Sequence, residues 1–104
     1  MGKINVPLIA MALTDSTRYG ALELICSNEM ISSQALCEML GVSPPTLSHH
    51  IRELRRASLI ESVSDGRLRR HKAKRETLDA YVSTLSTLSK LATFSKRPSV
   101  PVGR

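Results

Sequence analysis

Two consecutive prolines, Pro44 and Pro45, restrict the fold of this chain more than any other pair of residues. Proline lacks a backbone N–H and clashes with the preceding turn, so it disrupts the interior of a helix or sheet. In the first turn of a helix the missing N–H costs nothing, and Ser43, directly before the pair, is a favoured N-cap. The pattern therefore predicts that a helix begins here and runs over residues 44–57.

A second helix is predicted directly before this one, over the run SQALCEML. Ser32 or Ser33 can cap its start, and its apolar residues repeat at helical spacing. Gly41 is predicted to end it, because glycine is the favoured residue just past a helix C-terminus. A short helix, a tight turn containing glycine and a second helix together form the helix-turn-helix unit.

Two further helices are predicted nearer the N-terminus. Pro7 suits the first turn of the run PLIAMAL. Asp15 or Ser16 can cap the next helix, which ends before a break at NEMISS. Its apolar face is predicted to contain Tyr19, Leu22, Ile25 and Cys26.

A basic hairpin is predicted after the helix-turn-helix, from the strands LIESVS and RLRRHKA joined by Asp65-Gly66. Such a hairpin forms a wing. Six cations fall within nine residues: Arg67, Arg69, Arg70, Lys72, Lys74 and Arg75. One interpretation is a solvated strand; the other, which we favour, is a set of phosphate contacts from Arg67, Arg69 and Arg70, since arginine is favoured along the DNA backbone and in the minor groove. The charged second strand is expected to pack less than an apolar one.

The last predicted helix covers residues 75–94 and has a heptad seam. The seam consists of Leu78, Tyr81, Leu85, Leu88 and Ala92, and Val82 and Leu91 widen it. Such a seam is typical of a helix that packs against a partner helix, and a small domain gains stability from a second subunit.

His49 and His50 account for two of the three histidines, and their placement decides between a metal site and a binding face. At about 100° per residue, His49 points away from the apolar face and His50 falls at the edge of that face. Neighbouring helical residues do not converge on one ion, and a helical zinc pair uses positions i and i+4. We predict no metal ligands here, a half-buried His50, and either a solvated His49 or, as we favour, one that contacts DNA. The predicted contacts in the major groove are Ser43, Thr46, Ser48, His49 and Arg52.

The whole-chain composition agrees with one small basic domain. The chain has 104 residues, of which 41% are hydrophobic, and a formal charge of +6. We assign the domain to residues 1–95 and predict disorder for residues 96–104, which contain proline, glycine and charge without periodicity. The charge favours a nucleic acid over a membrane surface as partner. Without a membrane span or a signal peptide, we expect a cytoplasmic protein with no membrane partner.

These patterns resemble the ArsR/SmtB family of winged-helix repressors. ALTDSTRYGALELI is similar to the family's opening, and ALCEMLGVSPPTLSHHIRELRRASLIESVSDGR is similar to its helix-turn-helix and wing. The resemblance covers about residues 10–95. It implies a homodimer that is held by the first and last helices and binds a palindromic operator in double-stranded DNA, and the heptad seam agrees independently. The interface residues so predicted are Leu8, Leu78, Tyr81, Leu85, Leu88 and Ala92.

The sequence departs from the family at its usual metal sites. The metal-sensing members carry CVCDLC where this chain has residues 32–37, SSQALC, and other members use Asp and His on the last helix, which here lacks His and Cys. Neither metal site is carried over, no cofactor is predicted, and the inducer stays open. Cys26 and Cys37 are expected to be core thiols, with a thiol switch or a soft metalloid site as the more specific alternative.

The fold predicted from these elements is mainly α with a small β-hairpin wing, a winged helix-turn-helix that dimerises through its terminal helices. The predicted function is sequence-specific regulation of transcription, most simply as a repressor. Two alternatives stay open: a winged-helix module that binds another protein, and a DNA-binding protein without sequence preference. No nucleophile–base motif and no glycine-rich phosphate loop occurs, so we do not expect an enzyme.

Overall fold

A computed structural model of the protein describes residues 3–94, with five helices and three strands in that range. The order is α1 (Val6–Ala12), α2 (Ser16–Cys26), β1 (Ile31–Ser32), α3 (Ser33–Leu40), α4 (Pro44–Arg56), β2 (Ile60–Asp65), β3 (Leu68–Ala73) and α5 (Arg75–Phe94). The mainly helical fold with a hairpin wing is confirmed. The predicted disorder of residues 96–104 lies outside the described residues.

Local capping explains where the helices begin. The side chains of Asp15, Ser32 and Ser43 each accept a hydrogen bond from a backbone N–H in the first turn of α2, α3 and α4. Asn5 does the same for α1. Gly41 ends α3 with a φ of 69°, a left-handed conformation that glycine adopts without steric strain. The starts of α3 and α4 and the turn between them are therefore as predicted.

The sheet has one more strand than predicted. β1 pairs antiparallel with β3, and β3 pairs with β2, so the strand order is β1-β3-β2. The predicted break at NEMISS does separate α2 from α3, but its residues Ile31–Ser32 also form β1, which was not predicted. The turn is also shifted: Asp65 pairs with Leu68, so the two turn residues are Gly66 and Arg67. Gly66 has a φ of 66°, as the first residue of a type II′ turn requires.

The core lies between α2, α3, α4 and the start of the sheet. Among its fully buried side chains are Ile25, Leu36 and Leu54. Cys26, expected in this core, is exposed instead. Ile25 occupies the buried position at this end of α2, and the next residue is turned by about 100° toward solvent. Tyr19, also assigned to this face, is 46% exposed.

Helix α5 changes character along its length. Leu78 and Tyr81 are half-buried and pack against the core, and Thr77 is buried. From residue 82 to residue 92 every side chain is exposed. Among the described residues, the second half of α5 therefore has no buried side chain. In the described part of the chain no helix has the length and apolar character needed to cross a bilayer.

Candidate DNA-binding surface

Helix α4 separates its side chains onto two faces. Leu47, His50, Ile51 and Leu54 are buried. The opposite face is exposed and polar, with Thr46, Ser48, His49 and Arg52. Burial of the apolar stripe fixes the rotation of the helix, so this polar row is presented to solvent as one surface.

Ser43 and Thr46 form one unit at the start of α4. The Ser43 hydroxyl accepts from the Thr46 N–H over 3.4 Å and donates to Thr46 Oγ1 over 3.1 Å. Both residues are exposed. The Ser43 hydroxyl therefore caps the helix and holds the Thr46 hydroxyl, while both residues stay accessible to solvent.

His50 is held between helices. It is 6% exposed, and Arg18 donates a hydrogen bond from Nη1 to its Nδ1 over 3.4 Å. Arginine has no acceptor, so Nδ1 must accept and the proton of the neutral ring is on Nε2, 3.9 Å from Asp15 Oδ1. Burial lowers the pKa of His50, and the nearby Asp15 carboxylate opposes that shift. His50 thus joins α4 to the start of α2, away from the exposed face.

The two neighbouring histidines do not converge. Their ring centroids are 5.5 Å apart and the rings are tilted by 55°. Residues 3–92 contain no cluster of three or more His, Cys, Asp or Glu side chains that could hold a metal ion. The side chains of His49 and His50 therefore have different surroundings, as their helical spacing predicted.

The wing arginines do not all face the same way. Side chains alternate along β3, so Arg69 lies on the sheet face that looks toward α4, whereas Arg70 lies on the other face. Arg69 and Arg67 border a cavity beside α4. Arg70 borders a separate depression with Glu29 and Met30. The structure brings two of the three predicted wing contacts together with α4 and separates the third.

His71 is buried, contrary to the expectation that β3 gives up packing. Its side chain is 1% exposed, and both ring nitrogens are satisfied: Nε2 lies 2.8 Å from Ser33 Oγ and Nδ1 lies 2.8 Å from Ser62 Oγ. Burial, with Arg69 and Arg55 nearby, lowers its pKa from 6.5 to about 4. In the neutral ring one nitrogen donates and the other accepts, so the two hydroxyls have complementary roles.

This histidine therefore links three elements, namely α3, β2 and β3. Sequence reasoning missed its role because it lies in a run of cations. The sequence did contain a signal for it. Alternate residues on the inward side of β3 are Arg69, His71 and Ala73, and the one in the middle is a histidine, which can be neutral and therefore buried at neutral pH.

A cavity of about 520 Å³ lies between α3, α4 and the wing. Leu47 and Ile51 form part of its apolar lining, and His71 lies at its inner end. Its cationic residues are Arg52, Arg55, Arg67 and Arg69. Sequence reasoning missed Arg55. This residue follows Ile51 by one turn of α4, so it lies on the same side of the helix and borders the cavity, whereas Arg56 is rotated by about 100° and does not.

The two cysteines are free thiols in different surroundings. Cys26 is exposed at the end of α2, whereas Cys37 is half-buried and borders the cavity. Partial burial raises the pKa of the Cys26 thiol, which favours the unreactive protonated form at neutral pH. A thiol switch built from these two residues stays a prediction.

The helix pair α3–α4 joined at Gly41, followed by a basic hairpin, defines a winged helix-turn-helix protein, a class that binds DNA. The model of the bacterial regulatory protein, arsR family, matches residues 15–62. This segment contains α2, α3, α4 and the beginning of β2. No curated protein matches the chain significantly.

Solved structures agree with this assignment. An ArsR-like transcriptional regulator from Rhodococcus sp. RHA1 is 27% identical with a TM-score of 0.77, covering 85% of this chain and 82% of that one. NolR from Sinorhizobium fredii is 21% identical with a TM-score of 0.63, covering 82% and 81%. The transcriptional regulator HlyU from Vibrio vulnificus CMCP6 is 24% identical with a TM-score of 0.63, covering 79% of this chain and 84% of that one. The similarity to NolR and HlyU shows the fold alone.

Over residues 15–62 the chain thus matches the ArsR family, and its fold is that of a winged helix-turn-helix regulator of transcription. Members of this family bind double-stranded DNA. The family is one of regulators and not of enzymes, in agreement with the sequence-based prediction.

Proposed function

We propose that the protein is a homodimeric repressor that acts in the cytoplasm on a palindromic operator. Helix α4 enters the major groove and the wing lies along the backbone or in the minor groove. The observation that carries this proposal is the exposed polar row of α4, opposite a buried apolar face that fixes the rotation of the helix. The proposed base and groove contacts are Ser43, Thr46, Ser48, His49 and Arg52.

The unpacked half of α5 supports the dimer. Val82, Leu85, Leu88 and Leu91 are between 41% and 65% exposed, and they form an apolar stripe. Three turns of helix without tertiary packing are marginal in water, so a partner helix is needed to hold them. Leu8 of α1, half-buried beside the core, would border the same interface. A twofold axis then places two α4 helices about 34 Å apart, one turn of DNA.

The wing supplies affinity that does not depend on sequence. If a dimer neutralises about 8 phosphates, the logarithm of the affinity falls with the logarithm of salt concentration at a slope near −7. Since Arg69 faces α4 and Arg70 faces away, Arg69→Ala should weaken DNA binding about tenfold and reduce the slope by about 2 per dimer. Arg70→Ala removes the same charge and is the matched control. Equal losses in both variants would contradict the proposed orientation of the wing on DNA.

The experiment that tests the proposed function is selection of bound sequences from random duplex DNA, followed by titration of the recovered sequence at several salt concentrations. A recovered palindrome with half-sites one helical turn apart supports the proposal. Strong binding that ignores sequence would show a DNA-coating protein. Weak binding that ignores sequence and disappears at moderate salt would show a module whose partner is another protein.

A further inference from the structure

The cavity between α3, α4 and the wing has the dimensions of a small-molecule site. Its volume of about 520 Å³ lies within the ~300–1,000 Å³ typical of ligand pockets. Its apolar lining includes Leu47 and Ile51, which are 2% and 5% exposed and held in place by the core. Ser33, whose hydroxyl bonds His71, and Ser48 border the same space. Such a lining combines a fixed apolar surface with a few polar groups that can orient a ligand.

The charge around this cavity is strongly one-sided. Four guanidinium groups border it, from Arg52, Arg55, Arg67 and Arg69, against the single carboxylate of Glu38. The ion pairs found among the described residues involve none of these four arginines. Arg55 and Arg69 border the cavity together with His71, and their charges contribute to the lowered pKa of that histidine. The cavity therefore presents concentrated positive charge next to an apolar wall.

We propose that this cavity binds a small aromatic carboxylic acid and that the acid acts as an inducer. A guanidinium fork pairs with a carboxylate through two parallel hydrogen bonds, and its plane stacks on aromatic rings. An aromatic acid thus uses both properties of the lining, whereas inorganic phosphate uses only the charge. The regulatory part rests on the proposed function, because Ser48, Arg52, Arg67 and Arg69 are shared with the DNA-binding surface. An acid held by these arginines competes with DNA phosphates, so each ligand weakens the binding of the other.

Arg55 separates ligand binding from DNA binding. It borders the cavity but is not among the proposed DNA contacts. Arg56 follows it on α4, is also exposed, and does not border this cavity; it pairs with Glu53 instead. Arg55→Gln and Arg56→Gln remove the same charge from adjacent residues and form a matched pair.

The test uses 2-naphthoate as the probe, titrated calorimetrically into the free full-length protein up to about 5 mM. We expect one site per chain, about tenfold weaker in Arg55→Gln and unchanged in Arg56→Gln. The uncharged analogue 2-naphthalenemethanol should bind at least about tenfold more weakly than the acid. No binding of 2-naphthoate, equal losses in the two variants, or equal binding of the alcohol would each overturn the site.

The inducing role is tested separately, on the DNA recovered by selection. Addition of 2-naphthoate should release the wild-type protein and Arg56→Gln from that DNA, and should release Arg55→Gln only at about tenfold higher concentration. Simultaneous binding of acid and DNA without mutual weakening would overturn the inducing role. If selection recovers no preferred sequence, the proposed function fails while the calorimetric result still decides the cavity.

Discussion

At the scale of single residues, His71 shows how a basic wing strand is attached to the domain. Its neighbours Arg70 and Lys72 point to the other face of the sheet, and its own ring enters the space between Ser33 and Ser62. A protonated ring in that position would lose its hydration and would be repelled by the guanidinium groups of Arg69 and Arg55. At this position β3 therefore uses one neutral histidine for packing, whereas its neighbours Arg70 and Lys72 carry their charges on the other face of the sheet.

This arrangement makes stability depend on pH. The unfolded chain binds a proton at His71 near pH 6.5 and the folded chain only near pH 4. The stability associated with the neutral ring is fully present above pH 6.5 and is lost as the pH falls to about 4. The shift corresponds to about 3 kcal/mol.

The measurement is the free energy of unfolding by urea at a series of pH values, at one fixed protein concentration. His71→Asn removes the titrating group and should flatten this part of the curve. His50, whose pKa is also lowered, and the carboxylates remain in both proteins, so the difference between the two curves isolates His71. A variant curve as steep as the wild-type curve would show that His71 is not responsible.

Ser58 is a residue with a strained backbone. It follows α4 with a φ of 61°, a left-handed conformation that is unfavourable for residues with a Cβ. Its N–H donates to the Arg55 carbonyl over 2.9 Å, and the Leu59 N–H donates to the Leu54 carbonyl over 3.0 Å, so the conformation closes the end of the helix.

Ser58→Gly should keep these bonds and relieve the strain. We expect stabilisation by about 1 kcal/mol, which is a rise in melting temperature of about 4–8 °C for a domain of this size. Thermal unfolding at fixed concentration measures it. Ser58→Ala is the control, since alanine keeps the Cβ and should give no gain; an equal rise in both variants would assign the effect to the lost hydroxyl instead.

At the scale of elements, α4 has two functions on two faces, and its adjacent histidines report on them separately. His49→Ala should weaken binding of the selected operator about tenfold, in line with the ~1–3 kcal/mol of a good base contact, and leave the melting temperature unchanged. His50→Ala should reduce stability by about 1–3 kcal/mol, because Arg18 loses a buried partner. Operator titration and thermal unfolding of both variants test the contrast. The same pair of losses in both proteins would show that the faces are not independent.

The elements that were predicted correctly depend on neighbours in sequence. The Ser43 cap, the Pro44 start and the Gly41 end each follow from the chemistry of one turn, so a few letters of sequence are enough to place them. β1 was missed because a two-residue strand has no period of its own and exists through its pairing with β3. His71 was missed for a similar reason: its partner Ser33 is 38 residues away in the chain.

Burial was hardest to predict where two positions on a helix lie close to the boundary of the core. Ile25 and Cys26 both fit the apolar side of α2 by spacing, and only the packing of the other elements decides that Ile25 enters and Cys26 does not. The polar row of α4 was predictable, since the apolar residues of this helix recur at regular helical spacing and leave the other face polar. The convergence of Arg55 with the wing was not, because it depends on how the hairpin folds back beside α4.

At the scale of the whole molecule, the exposed half of α5 is the feature that a single chain leaves unexplained. A stripe of Val82, Leu85, Leu88 and Leu91 on an unpacked helix is unfavourable in water, and a second copy of the helix would cover it. Dimerisation would also fix the distance between two α4 helices. Binding of a palindrome and stability of α5 are therefore expected to depend on the same contact.

The double variant Leu85→Lys/Leu88→Lys places two charges in this stripe and should give a monomer. Ser83→Lys/Ser86→Lys adds the same two charges at the same spacing on the other side of α5 and should stay dimeric. Sedimentation equilibrium measures the mass, and operator titration should show that only the first variant loses most of its affinity, because a monomer contacts one half-site. The wild-type melting temperature should rise with protein concentration, as mass action requires, and that of the monomeric variant should not. A first variant that remains a dimer would place the interface elsewhere and remove the basis for the proposed spacing of about 34 Å.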